Sequence, residues 1–161
     1  MSTILVQMTN QSWTLQALHF ACALARNNGA RIILLRLMPV QHLSYLGTEF
    51  GSTPLSRQEY TAWLKYVATA EYYGVEMVRQ SMQCWSALDA IADAADYVDA
   101  QVVFASIPRS RIPYMDRLQH WSLQRRLVKA NRQLYTLEQS ARNSNIPSIV
   151  IDPPQTSAAR K

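Results

Sequence analysis

The chain has 161 residues, of which 48% are apolar and 17% are charged, and this composition predicts one packed globular domain rather than a disordered or fibrous chain. No uncharged apolar stretch is long enough to cross a membrane, and no basic segment precedes an apolar run at the N-terminus. We therefore expect neither a membrane span nor a cleaved signal peptide, and we expect a cytoplasmic location.

The net charge of +5 is unevenly distributed along the chain. Residues 1–105 contain six basic and eight acidic side chains, whereas residues 106–161 contain ten basic and three acidic ones. A basic last third favours association with anions, with nucleic acid or with the acidic surface of a partner. This charge pattern does not specify which of the three is bound.

Two strands and a helix are predicted in the first part of the chain. The apolar residues 4–8 have the length of a buried strand, and the polar residues 9–12 predict the N-cap of a helix. Apolar side chains at helical spacing follow as far as Gly29, which is suited to a left-handed C-cap. Residues 31–37 predict a second strand. The short connections are typical of two parallel strands joined by a helix.

The middle of the chain repeats this alternation of helix and strand. Ser56 and Glu59 have the spacing of a capping box and predict the start of a second helix. The apolar face predicted for this helix consists of Tyr60, Trp63, Leu64 and Val67. Residues 75–82 predict a third strand, Ser86 predicts the start of a third helix, and residues 102–105 predict a fourth strand.

The last third of the chain departs from this alternation of short helices and strands. A basic loop over residues 109–117 is followed by a long helix, predicted over residues 118–143. The apolar seam of this helix consists of Leu123, Leu127, Ala130, Leu134, Leu137 and Ala141. Arg125, Lys129 and Arg132 lie on roughly the opposite face. Residues 148–151 predict a fifth strand.

Five strands alternating with four helices predict an α/β fold with a single doubly wound, five-stranded parallel sheet of the Rossmann-like kind. We expect one domain over residues 1–152 and a polar tail over residues 153–161. Ligands of such sheets bind beyond the carboxyl ends of the strands, where the strand order reverses. With the first and fourth strands as neighbours, this crevice lies between the turns that follow Met8 and Ala105.

The ordered set of segments resembles the universal stress protein family, in the wider adenine-nucleotide hydrolase-like group. The resemblance begins with the strand Ile4-Leu5-Val6. The helix after it contributes Ala17-Leu18, Ala21 and Ala25, and Gly29-Ala30 comes next. It continues in Gly74-Val75, in the third helix and the fourth strand, and in the closing run Pro147-Ser148-Ile149-Val150-Ile151. The resemblance implies the fold of that family and a homodimer.

The ATP-binding branch of this family has an acidic residue at the end of the first strand and a glycine motif after the fourth. Glycines there let backbone N–H groups approach a phosphate closely. In this chain the acidic position falls on Thr9, and the glycine positions fall on Ser106, Arg109 and Gln119, with His120 next. Every glycine of the chain lies upstream of the fourth strand: Gly29, Gly47, Gly51 and Gly74. The resemblance therefore implies a lost ATP site and no bound cofactor.

The candidate ligand crevice consists of Thr9, Asn10, Ser106, Arg109, Arg111, Gln119 and His120. Guanidinium groups hold phosphate or carboxylate bidentately, so Arg109 and Arg111 are candidates for an altered anion site. A solvated surface loop is the simpler interpretation of these two arginines. Ser106 as a nucleophile and His120 as an acid–base group are disfavoured, because the sequence marks no partner for either. No metal-ligating spacing is present, and Cys22 is expected to be an inert core thiol.

Two surfaces are candidates for partner binding. The predicted edge strand Ile149, Val150 and Ile151 leaves backbone groups unpaired and favours a homodimer. The helical seam from Leu123 to Ala141 is most simply packed on the sheet, and its far end is an alternative contact between subunits. The stripe of Arg125, Lys129 and Arg132 is most simply a solvated face, and a nucleic-acid partner is disfavoured because no nucleic-acid-binding motif is present.

The leading hypothesis is a non-enzymatic domain like a universal stress protein, with a lost ATP site, which acts in stress-linked regulation or protein interaction. The alternative is a module that binds a nucleotide or another anion with Arg109 and Arg111 in place of the glycine loop. An enzyme is disfavoured, because neither an acid–base pair nor a phosphate loop is marked in the sequence.

Overall fold

The computed structural model of the chain describes residues 2–40, 55–106, 113–137 and 149–151. These residues form a six-stranded sheet in the order β3-β2-β1-β4-β5-β6, with helices on both faces. The strands are β1 (Thr3–Met8), β2 (Arg31–Pro39), β3 (Met77–Cys84), β4 (Ala100–Phe104), β5 (Gln133–Leu137) and β6 (Ile149–Ile151). The helices are α1 (Gln11–Asn28), α2 (Arg57–Tyr73), α3 (Ala87–Tyr97) and α4 (Pro113–Lys129). Within the described part of the chain, no helix has both the length and the hydropathy of a membrane span.

The sheet is doubly wound, as the sequence predicts. Strands β1 to β5 run parallel to their neighbours, and β6 runs antiparallel to β5. Because β1 lies between β2 and β4, the strand order reverses between β1 and β4. The prediction of an α/β fold with a five-stranded parallel sheet is confirmed, although the fifth parallel strand is β5 and the segment predicted for it forms the antiparallel strand β6.

The first βαβ unit forms as its sequence predicts. The Asn10 side chain caps α1 by accepting a hydrogen bond from the Trp13 N–H at 2.9 Å. At the other end Gly29 adopts a left-handed conformation with φ of 62°, which glycine reaches without steric cost. The buried side of α1 includes Ala17 and Ala21, which are fully buried. Small side chains there allow the helix to approach the sheet closely.

The buried face predicted for α2 is wrong for Tyr60 and Leu64, whereas Trp63 packs partly buried against the core, and the capping box is present. Tyr60 and Leu64 are 54% and 51% exposed, and the buried residues are Ala62, Tyr66 and Ala70. Helix α2 packs against α1, and two alanines permit a closer approach between helices than the larger apolar side chains would. The buried face therefore combines two small side chains with one large one, so side-chain size alone does not identify it.

The long helix predicted in the last third is also wrong. Helix α4 ends at Lys129, and Asn131 adopts a left-handed conformation with φ of 57°. The N–H of Arg132 then donates to the Leu127 carbonyl at 2.9 Å, which closes the helix end. Residues Gln133–Leu137 form β5, which pairs with β4. Asparagine tolerates the left-handed region better than most residues, and it marks this boundary in the sequence.

The apolar seam from Leu123 to Ala141 is consequently divided between a helix and a strand. Leu123 and Leu127 lie on α4 and are buried with β4 and α3 in one core cluster. Leu134 and Leu137 lie on β5 and face opposite sides of the sheet, where they join different clusters. Ala141 lies outside the described residues. The seam is therefore not one helical surface, and its helical part is occupied inside the molecule.

The segment predicted as the fifth parallel strand is β6. It pairs antiparallel to β5, with Val150 opposite Thr136. The parallel position beside β4 is taken by β5, which the sequence analysis assigned to a helix. The predicted edge position of Ile149, Val150 and Ile151 is confirmed, because β6 is the last strand on this side of the described sheet.

Candidate functional site

The crevice where the strand order reverses lies at the carboxyl ends of β1 and β4. Thr9 and Asn10 follow β1, and Ser106 follows β4, so the structure places these three predicted residues at the same edge of the sheet. Gln119 lies half-buried on α4, and its Oε1 is buried without a hydrogen-bond partner in the described part of the chain. His120 also lies on α4. Arg109 and Arg111 lie outside the described residues.

Two of the backbone donors beside β1 are used within the molecule. Thr9 donates its N–H to the Thr14 hydroxyl oxygen at 3.0 Å, and that hydroxyl donates to the Asn10 carbonyl at 2.9 Å. The Trp13 N–H is taken by the Asn10 side chain. An anion at a helix N-terminus is normally held by such free N–H groups. At this N-terminus the Thr9 and Trp13 donors are already satisfied by side chains of α1 and its cap.

The backbone donor at the end of β4 is also used. The Ser106 N–H donates to Oε1 of Gln7 at 2.8 Å, which joins the ends of β1 and β4 across the crevice. Gln7 is only 8% exposed, so its amide lies inside the protein. Gln7 is not among the site residues that the sequence predicts. Its signal is a polar side chain inside the apolar run of the first strand, since a buried amide requires a partner.

Replacing Gln7 with leucine should leave the Ser106 N–H without its acceptor. We expect the free energy of unfolding to fall by about 1–3 kcal/mol, because an unpaired, partly buried donor costs its desolvation energy. Urea denaturation would measure the change. The matched control is Gln58→Leu on α2, and an equal effect of the two substitutions would contradict the assigned role of Gln7.

An open cleft of about 530 Å³ lies beside the end of β1 and the first turns of α2. Its lining residues are Met8, Thr9, Gln11, Arg57, Gln58, Glu59, Thr61, Ala62 and Tyr66. The Thr9 Oγ1 is buried and has no hydrogen-bond partner among the described residues. Tyr66 is 1% exposed, and burial raises the pKa of its phenol. The cleft therefore combines an apolar floor with a polar rim, as small-ligand sites do.

One wall of the cleft is fixed by an ion pair between β2 and α2. Arg36 lies opposite Met8 in the sheet, and its guanidinium contacts Glu59 Oε1 at 2.8 Å. The Glu59 carboxylate also accepts the Ser56 N–H at 2.9 Å and so completes the capping box. The hydrogen bond from the Ser56 backbone is the main cause that holds the pKa of Glu59 below its ordinary value of 4.5, and Arg36 lowers it further.

The substitution Glu59→Gln should destabilise the protein by about 1 kcal/mol at neutral pH, because it removes one charge of the ion pair and weakens the capping box. The pKa of Glu59 is lower in the folded state than in the unfolded chain. The carboxylate therefore stabilises the fold fully above pH 4.5, and this stabilisation is lost as the pH falls through the folded-state pKa. The difference between wild type and variant should therefore shrink in acid. Urea midpoints measured over a pH series would test this, with the exposed Glu71→Gln as control. A difference that stays constant down to the acid limit would contradict it.

The predicted basic stripe of Arg125, Lys129 and Arg132 is wrong in one member. Arg132 follows α4, its side chain is only 10% exposed, and it pairs with Asp96 and with Asp99, the latter at 3.5 Å. Arg126 similarly pairs with Asp89 and Asp93 at 2.6 and 3.0 Å. Arg125 and Lys129 remain exposed. The positive charge of the stripe is thus partly neutralised by α3.

Two further groups of side chains bear on chemistry. Cys22 is fully buried, and burial raises the pKa of its thiol to about 11, so the thiol is protonated at neutral pH. This agrees with the prediction of an inert core thiol. Within the described residues, no group of three or more histidine, cysteine and acidic side chains could hold a metal ion.

The sequence matches no family model and no curated protein. Several solved structures have a similar fold. A universal stress protein in complex with cAMP superposes with a TM-score of 0.62 at 14% identity, over 86% of this chain and 98% of that one. The universal stress protein from Archaeoglobus fulgidus in complex with dAMP gives 0.53 at 19% identity, over 86% and 98%.

A protein of the same family from Burkholderia pseudomallei gives a TM-score of 0.51 at 15% identity, over 84% of this chain and 94% of that one. In each pair the match extends over nearly the whole length of the solved protein. Identities this low establish likeness of fold. The resemblance that the sequence predicted is confirmed at that level: this chain has the fold of the universal stress proteins.

Proposed function

We propose that this chain is a cytoplasmic, non-enzymatic domain with the fold of the universal stress proteins, that its ATP site is lost, and that it acts through protein interaction in stress-linked regulation. The observation that carries the proposal is that three backbone donors at the crevice are already hydrogen-bonded within the chain. The N–H groups of Thr9, Trp13 and Ser106 are hydrogen-bonded to side chains of the same chain. A triphosphate at this place would have to displace those side chains.

The sequence after β4 supports the same proposal. A phosphate cradle of the glycine type needs backbone that can adopt positive φ and lie against the phosphate. Ser106, Arg109 and Gln119 stand at the glycine positions, and no glycine follows β4. A Cβ atom at each position restricts the backbone to conformations that suit a cradle poorly.

Thermal denaturation with added ligand tests the loss of the site. We expect ATP, AMP and inorganic phosphate each to leave the Tm unchanged. A ligand at a hundred times its Kd would raise the Tm of a protein of this size by about 5–10 °C. A rise of that order with ATP would contradict the proposal.

The oligomer that we propose is a homodimer joined at β6. Its support is the position of β6 at the edge of the sheet, where one side of the strand has no neighbour in the described part of the chain. Light scattering should give twice the mass of one chain, and deletion of residues 148–161 should give a monomer. A monomer in the intact protein, or a dimer that survives the deletion, would contradict this arrangement.

The second candidate function is binding of a small nucleotide or another anion, with Arg109 and Arg111 in place of the glycine loop. It is favoured by the cleft of about 530 Å³ and by the buried Thr9 hydroxyl on its wall, which has no hydrogen-bond partner among the residues that the structure describes. Two proteins of the same fold are described as complexes with cAMP and dAMP. A rise in Tm with AMP that is lost in both Thr9→Val and Arg109→Ala would favour this function over the first.

A further inference from the structure

The outward side of α4 carries large apolar side chains. Leu118, Trp121 and Val128 are 58%, 55% and 59% exposed. Together with Arg125 they occupy positions i, i+3, i+7 and i+10, which lie along one side of an α-helix. We call Leu118, Trp121, Arg125 and Val128 the outer face of α4.

The outer face is distinct from the face that α4 packs on the protein. Leu123 and Leu127 are each 1% exposed and belong to the core cluster with β4 and α3. They lie on the other side of the helix from Trp121 and Arg125, at about 100° per residue. Helix α4 therefore has two apolar faces, and only one is needed to attach it to the sheet. Isolated exposed apolar residues are common on proteins, but three on one helical line are typical of a binding surface.

The outer face is also positively charged. Arg125 and the adjacent Lys129 are exposed and have no ion-pair partner among the residues that the structure describes. The acidic side chains of α3 do not compensate them. Asp89 and Asp93 are engaged by Arg126, and Arg132 engages Asp96 and Asp99. The surface thus combines an apolar line with uncompensated cations.

Trp121 has the features of a central contact residue. The guanidinium of Arg125 lies 5.1 Å from the centre of its ring, a cation–π contact that restrains both side chains before a partner binds. Tryptophan and arginine are the residue types that contribute most to binding energy at protein interfaces. Restraint in the free protein reduces the entropy lost on binding.

We infer that the outer face of α4 docks an acidic amphipathic helix of a partner protein, with the apolar line of that helix on Leu118, Trp121 and Val128 and its carboxylates on Arg125 and Lys129. Helices with apolar residues at i, i+3, i+4 and i+7 lie against such surfaces in this way. The inference rests on the interaction part of the proposed function and gives it a surface and a class of partner.

Two other occupants fit the charges less well. A second copy related by two-fold symmetry would place Arg125 and Lys129 against the same cations of its partner. The phosphates of a single-stranded nucleic acid could pair with Arg125 and Lys129. Leu118 and Val128, however, provide neither a charge nor a hydrogen bond to it. Both occupants are outcomes of the experiment below.

The experiment measures fluorescence anisotropy of a labelled synthetic helical peptide that has leucine on one face and glutamate on the other. The full-length protein should bind it, and should bind a peptide of the same leucine pattern with lysine in place of glutamate far more weakly. Trp121→Ala should weaken binding about tenfold or more, and Arg125→Glu should do the same. The matched control is Tyr72→Ala, which truncates an 83% exposed aromatic residue on α2 and should have no effect.

Each other result overturns the inference. The outer face would not be a docking surface if the acidic and basic peptides bound equally or if the acidic peptide did not bind. The same conclusion would follow if the two α4 variants bound the peptide as well as the wild type. Binding of a DNA oligonucleotide that Trp121→Ala abolishes, with no peptide binding, would assign the face to nucleic acid. A dimer that Trp121→Ala converts to a monomer would assign it to a second copy. The Tm of each variant shows that it is folded, and failure here is separate from a nucleotide-induced rise in Tm, which would contradict the proposed function itself.

Discussion

Replacing Trp13 with alanine should lower the free energy of unfolding by about 3–5 kcal/mol, the range for loss of a fully buried aromatic side chain. Trp13 lies in the first turn of α1, is 2% exposed and belongs to the core cluster between the sheet and the helices α1 and α2. Its removal leaves a cavity that backbone on both sides can fill only partly. Urea denaturation would measure the loss.

The same side chain also connects two distant parts of the chain. The Trp13 Nε1–H donates to the Leu137 carbonyl at 3.3 Å, and this bond joins the start of α1 to the end of β5. Trp13→Phe keeps most of the apolar volume and removes the donor, so we expect a smaller loss of about 1–2 kcal/mol. The matched control is Trp85→Ala, since Trp85 is 63% exposed and its truncation should have little effect. Equal losses for Trp13→Ala and Trp85→Ala would contradict the role of Trp13 in the core.

The first half of the fold could be predicted because its signals are local. The Asn10 cap, Gly29 at the end of α1 and the capping box of Ser56 and Glu59 each act within a few residues, and all are present. Parallel strands buried on both faces appear in the sequence as continuous apolar runs. These features do not depend on the rest of the chain, so the sequence alone was sufficient to place them.

The last third could not be predicted in the same way, because a helical spacing of leucines there is produced by two different elements. Leu123 and Leu127 belong to α4, whereas Leu134 and Leu137 belong to β5. Apolar residues three or four apart cannot by themselves distinguish a helix from a turn followed by a strand. The deciding residue is Asn131, whose left-handed conformation ends the helix. The helix can end at this residue because the segment after it pairs with the edge of β4 as β5.

The positions of three candidate residues could be predicted from the sequence, but their hydrogen bonds could not. Thr9, Asn10 and Ser106 lie at the edge of the sheet where the resemblance placed them. The hydrogen bond from Ser106 to Gln7 joins residues of two strands that are far apart in sequence, so no local pattern reports it. Arg109 and Arg111 lie outside the described residues and stay a prediction. Tertiary hydrogen bonds of this kind determine whether the backbone N–H groups of a crevice are free to bind a ligand. The spacing of residues in the sequence does not reveal such bonds.

Arg132, which follows α4, pairs with Asp96 on α3 and with Asp99, which follows α3. Arg132 is 10% exposed, whereas its partners Asp96 and Asp99 are 61% and 94% exposed. The energetic consequence is asymmetric. Loss of the carboxylates leaves a mostly buried cation without a counter-charge, whereas loss of the arginine leaves two carboxylates that water can solvate.

The double substitution Asp96→Asn with Asp99→Asn should therefore destabilise the protein by about 2–3 kcal/mol, and Arg132→Met by about 1 kcal/mol. Asparagine tolerates the left-handed backbone of Asp99, whose φ is 47°, so the change removes charge without adding strain. Urea denaturation of each variant would give the two losses.

The matched control is Asp89→Asn. Its partner Arg126 is 43% exposed and retains Asp93, so the expected loss is below about 1 kcal/mol. An Arg132→Met variant that is less stable than the double aspartate variant would contradict the argument from burial. Because methionine keeps an unbranched apolar stem, such a result would mean that the guanidinium contributes mainly through contacts other than those with Asp96 and Asp99.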